Sequence, residues 1–105
     1  MPIDLDDLLK EMTRAAGGVL AKESRRVRTT IADVLRDQKA AIAAIVAARQ
    51  AGEIDDAEMQ VQLRSERVAF SSGLAMARVA GKSAAQKAAN AAFAVVMKAM
   101  RVAVG

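Results

Sequence analysis

The chain has no cysteine, no histidine, no tryptophan and no tyrosine among its 105 residues. Without cysteine there is neither a disulfide nor a thiolate metal site. Without histidine the commonest general base and the commonest transition-metal ligand are missing. Carboxylates, Lys and Arg are what remains for catalysis or metal binding. The only aromatics are Phe70 and Phe93, and the only proline is Pro2. Long apolar runs are also missing. A membrane-spanning helix needs about 18 or more apolar residues, and the closest stretch, Ala88 to Met97, holds Asn90 and is closed by Lys98. The start, MPIDLDDLLKEM, is acidic and amphipathic, unlike the basic, apolar-cored start of a signal peptide. A cytoplasmic protein without cofactor or metal is therefore the expectation.

What is present is apolar and small. Hydrophobic residues make up 53% of the chain, and about a quarter of all residues are alanine. Alanine is the best helix former and a poor core filler. No strand-like alternation of β-branched residues occurs. This composition predicts an all-α protein of closely packed helices in a single domain over residues 1–105.

The stretch AGEIDDAEM, residues 51–59, holds four acids in nine positions. Each acid beyond Gly52 has a local structural use. Gly52 suits the left-handed position just past a helix end. Asp55 suits an N-cap, and Glu58, three residues on, completes a capping box. Ile54 and Met59 stand where a hydrophobic staple packs, and Asp56 and Glu58 fall where the helix dipole favours negative charge. The stretch reads as a tight helix–helix turn over residues 51–55, not as a carboxylate site.

That turn divides the chain into a helical arm over 4–50 and another over 56–104. Continuous arms would each be about 70 Å long. Arm one carries an apolar stripe through Leu5, Leu8, Met12, Val19, Leu20, Val27, Ile31, Val34, Ile42 and Ile45, with Ser24 and Gln38 interrupting it. Arm two has two apolar edges. One runs through Met59, Leu63, Phe70, Leu74 and Ala77, the other through Val61, Val68, Ala75, Val79, Phe93, Val96, Met100 and Val104. A two-helix hairpin buries one stripe per helix. The second edge therefore predicts an oligomer interface on Val61, Val68, Val79, Phe93, Val96 and Met100, pairing antiparallel hairpins into a four-helix-type bundle or a larger helical oligomer. Two places compete with continuous arms. One is Gly17–Gly18. The other is Gly81, followed by Ser83 and Gln86 in the spacing of a second capping box.

Net charge is +4. The acidic start (Asp4, Asp6, Asp7, Glu11) and the acid-free last third (Arg78, Lys82, Lys87, Lys98, Arg101) each suit their helix dipole, and hairpin pairing would set the acids beside Lys98 and Arg101. KESRRVR supplies Lys22, Arg25, Arg26 and Arg28 against Glu23 alone, and the same pairing would bring Arg78 and Lys82 to that level. Such a belt is a candidate polyanion site for a nucleic-acid backbone or an anionic membrane surface. No aromatics accompany it, so base stacking is not expected. The segment AGKS shares Gly-Lys-Ser with the phosphate-binding loop but lacks its first glycine and a preceding strand. The sequence thus predicts a non-enzymatic assembly, scaffold or adaptor protein. Its expected partner is itself or another helical protein, with no small-molecule substrate. The alternative reading is a binder of anionic surfaces.

Overall fold

The computed structural model describes residues 3–20 and 25–104, with side chains up to Arg101. These residues form α1 (Leu5–Leu20), α2 (Arg25–Arg36), α3 (Lys39–Gln50), α4 (Asp56–Met76) and α5 (Lys82–Val104), with no strand among them. The all-helical class follows from the alanine-rich composition. The two continuous arms do not: the molecule measures 38 × 22 × 19 Å, about half the length of the expected rods. The chain reverses or bends at several points.

The turn over 51–55 is built from the residues that predicted it. Past α3, Gly52 adopts φ +76°. Its N–H donates to the Arg49 carbonyl at 3.2 Å, and the Glu53 N–H reaches the Ala48 carbonyl at 2.9 Å, which closes the helix end. Asp55 then caps α4. Its Oδ1 accepts the Glu58 N–H at 2.8 Å, while Glu58 Oε1 accepts the Asp55 N–H at 3.3 Å. Arg49 donates across the corner to Asp56 at 2.7 Å. Met59 is buried, and Ile54 packs half-buried against the core.

Arm two breaks between α4 and α5, but not on the glycine that signalled it. The left-handed residue is Arg78, at φ +58°. The Arg78 N–H donates to the Ala75 carbonyl at 3.1 Å and the Val79 N–H to the Leu74 carbonyl at 3.2 Å, the same closure as at Gly52. This turn carries Val79 into the interior near Leu74. Gly81 instead precedes α5, its carbonyl accepting the Ala85 N–H at 2.8 Å. Ser83 consequently lies inside the first turn of α5 rather than at its cap.

Arm one bends at Asp37–Gln38, which carries neither glycine nor proline. Gln38 sits at φ −103° and ψ 0°. Its N–H donates to the Leu35 carbonyl at 2.9 Å, and its side chain turns inward to α4. Gln38 Nε2 donates to the Glu66 carbonyl at 2.6 Å and to Glu66 Oε2 at 3.2 Å. A polar residue on the apolar stripe thus ends a helix instead of fixing the register of a long one. The glycine pair Gly17–Gly18 does not interrupt α1, which continues to Leu20.

α5 lies at the centre of the packing. α1 makes its most extensive contact with α5, then with α2; α4 packs on α5, and α3 on α4. The buried face of α5 begins with Ala85, Ala88, Ala89 and Ala92 and continues with Phe93, Val96 and Met100. Alanines let a neighbouring helix come near, and the larger residues supply bulk toward the C-terminal part of α5. The two phenylalanines, both buried, join α4 to α5 with ring centroids 6.1 Å apart at 50°. Leu8, Met12, Ile31, Leu35, Ile42, Met59, Leu63 and Leu74 complete the core. α2 meets α4 at Gly73, where a Cβ atom would stand 2.7 Å from Val34 Cγ1. That separation is well inside the about 3.5–4.0 Å of ordinary carbon contact, so the approach requires glycine.

Candidate functional site

The second apolar edge of arm two is split by the break at Arg78. Val79, Phe93, Val96 and Met100 lie in the chain's own core, each 7% exposed or less. They were expected at a partner interface. The reason they are not is that α5 folds back and turns this edge toward α1 and α4. Val61 and Val68 remain outside, at 62% and 58% exposure, and Met76 joins them at 83%. On α4 these three alternate with Ser65 and Ser72, also exposed, at spacings of three and four. That spacing sets all five on one outward helix face. Met76 was missed because it lies outside both edges read from the sequence.

Of the expected basic belt, Lys82 and Arg28 line different grooves, and Arg25, Arg26 and Arg78 line neither. Arg25, Arg26, Arg28, Arg78 and Lys82 are all exposed. Lys22, Ser24 and the side chain of Val104 lie outside the described residues. Lys82 lines a groove between α4 and α5 together with Arg67, Val68 and Met76. This groove continues past Asn90 to Arg64 and Arg101. Arg28 lines a different cleft, between α1 and α2, with Lys10, Arg14, Arg36 and Lys39. Sequence reading passed over these four. Lys10 and Arg14 are one helical turn apart, which is a visible signal, but only the folded chain sets them beside α2.

The acidic start is not set against α5 by an ion pair. Asp6 pairs with Lys39 at 2.7 Å, bridging α1 and α3. The hydrogen bond from Lys39 and its charge hold the Asp6 carboxyl below the usual carboxylate range. Asp4 caps α1 through Oδ1, which accepts the Asp6 N–H at 3.0 Å and the Asp7 N–H at 3.2 Å. Asp4, Asp55 and Glu58 are thereby engaged in capping, and Asp6 and Asp56 in single ion pairs. Among the described residues, no three carboxylates converge as metal ligands and no helix is long and apolar enough to cross a membrane. Compared with protein-family models, curated proteins and solved structures, the chain matches none.

Proposed function

We propose that this chain is a non-enzymatic helical assembly module that pairs with a second copy of itself through the outer face of α4. The observation that carries this reading is the exposed row Val61, Val68 and Met76, three large apolar side chains on one face of a helix whose other face is already packed. Small serines between them let a second helix approach closely. Two such faces, packed antiparallel around a two-fold axis, would form a helical bundle across the dimer. The lack of His and Cys and the capping use of the acids leave few groups for chemistry, which supports a binding role. Fully burying a valine contributes about 1.5–3 kcal/mol. With over half of each side chain exposed, covering Val61 and Val68 is worth about 1 kcal/mol apiece in each copy.

Light scattering across a dilution series tests the proposal. The protein is expected to reach dimer mass or higher as concentration rises. Val61→Lys with Val68→Lys should shift it to monomer while leaving its helix content unchanged, because neither side chain supports the monomer's core. A fully helical monomer at every concentration would overturn the reading.

A further inference from the structure

The cleft between α1 and α2 is separate from the α4 face, opens to solvent and has a volume of about 460 Å³. Five cations line it, Lys10, Arg14, Arg28, Arg36 and Lys39, against the single acid Asp6. Two of the five are already engaged: Lys39 with Asp6, and Arg36 with Asp33 at 3.4 Å. Lys10, Arg14 and Arg28 form no ion pair or hydrogen bond among the described residues. Like charges one helical turn apart repel, and folding adds Arg28 from α2 to the pair on α1. The cleft walls concentrate the resulting field. Among the described residues Asp6 is the one acid in the cleft; it is engaged by Lys39 and also feels the charge of Lys10, so one carboxylate faces five cations and a bound anion would offset the excess.

We propose that the α1–α2 cleft binds a ligand carrying two or more phosphates in tandem. The chemistry of the lining selects phosphate. Arg14 and Arg28 offer planar, forked donors that grip phosphate oxygens in pairs, and Lys10 adds a mobile point charge. Spacing selects a chain of them: Lys10 and Arg14 are about 6 Å apart along α1, and Arg28 and Arg36 about 12 Å apart along α2. A single small anion would leave most of these donors unused. No aromatic side chain lines the cleft, so it grips the phosphates and leaves any attached base or sugar unread. Its volume is that of a small-ligand site, which favours a thin phosphate chain over a flat lipid surface. The groove between α4 and α5 is also basic, but Val68 and Met76 on its rim belong to the proposed assembly face.

The experiment is calorimetric titration of the full chain at low salt with three probes. These are inorganic tripolyphosphate, a mixed-sequence single-stranded oligonucleotide, and vesicles of phosphatidylserine in phosphatidylcholine. Binding of tripolyphosphate identifies a free polyphosphate as sufficient. Binding of the oligonucleotide alone identifies a nucleic-acid backbone as the source. Either supports the proposal when Arg14→Gln with Arg28→Gln lowers affinity at least tenfold. For the oligonucleotide, the same double variant should flatten the log–log salt dependence by between about 1 and 2, since each neutralised phosphate of a single strand contributes about 0.7. Lys87→Gln with Lys98→Gln removes equal charge from exposed sites outside the cleft and should leave affinity within about twofold. Because the cleft charges repel, Arg14→Gln with Arg28→Gln should melt no earlier than the unaltered protein without ligand. Failure of both phosphate probes, binding to vesicles only, or equal losses in the two double variants would overturn the proposal. So would a cleft variant that melts earlier, which would assign these arginines to the fold. None of these outcomes depends on the mass measured by light scattering, so the assembly reading stands or falls separately.

Discussion

Gly73 and Gly18 should respond in opposite directions to the same substitution. Both lie inside helices, where replacing glycine with alanine ordinarily stabilises by about 1 kcal/mol. At Gly18 the added methyl would meet nothing within 4 Å. Gly18→Ala should therefore raise stability by about that amount. At Gly73 the methyl would stand 2.7 Å from Val34 Cγ1. The shortfall from normal contact is about 1 Å, and Val34, β-branched and on a helix, has essentially one comfortable rotamer. Relief requires α2 to move from α4, and overpacking of this kind costs about 1–3 kcal/mol. Subtracting the helix gain leaves Gly73→Ala destabilising by about 1 kcal/mol. Urea denaturation followed by far-ultraviolet circular dichroism, at one fixed protein concentration, measures both variants. The double change Val34→Ala with Gly73→Ala removes the clash and should recover about 2 kcal/mol relative to additivity. A Gly73→Ala protein as stable as Gly18→Ala, or a cycle without coupling, would refute the close approach of α2 and α4.

Arg78→Gly should stabilise by about 1 kcal/mol, because it relieves the left-handed conformation of a residue with a Cβ; an unchanged urea midpoint would contradict that strain. Asp55→Ala should cost about 1 kcal/mol by removing the α4 cap. It should leave the association state unaltered, and a change in oligomer mass would assign the turn a role beyond folding. The Asp6 carboxyl should titrate below the ordinary value of about 3.9 in a carboxylate NMR titration, and Lys39→Met, which removes the largest cause, should raise it. Because the folded value is the lowered one, the pair supports the fold above the unfolded value. That support fades as pH falls through the folded value. An Asp6 resonance indifferent to Lys39→Met would contradict the pairing.

Features set by neighbours in sequence were readable before the structure; features set by distant contacts were not. The capping box of Asp55 and Glu58 and the left-handed Gly52 arise within a few residues, so their pattern is visible in the chain. The core edge of Met59, Leu63, Phe70 and Leu74 and the arm-one residues Leu8, Met12, Ile31, Ile42 and Ile45 follow helical spacing and are buried, whereas Ala77 and Val19, read on the same two stripes, are exposed. The bend at Gln38 depends on a hydrogen bond to Glu66, 28 residues away, and no local signal marks it. The turn after Met76 places an arginine where glycine is favoured, so the nearest glycine, Gly81, was a displaced marker. Once that turn is made, Phe93, Val96 and Met100 find partners within the chain. The edge that suggested a second molecule is thereby reduced to Val61 and Val68, with Met76 added. The α1–α2 cleft was hidden for the same reason: Lys10 and Arg14 acquire Arg28 and Arg36 as neighbours only by tertiary packing.

The assembly of copies through α4 is tested most directly by a single spin label on that face. The absence of cysteine makes Ser65→Cys a unique attachment point, exposed between Val61 and Val68. Two α4 helices packed face to face lie about 10 Å apart. The labelled protein should therefore show strong dipolar coupling between copies, lost when it is diluted with unlabelled chains. A label at Lys87→Cys on the exposed side of α5 should show much weaker coupling. No coupling from Ser65→Cys at concentrations where light scattering reports an oligomer would contradict the α4 interface.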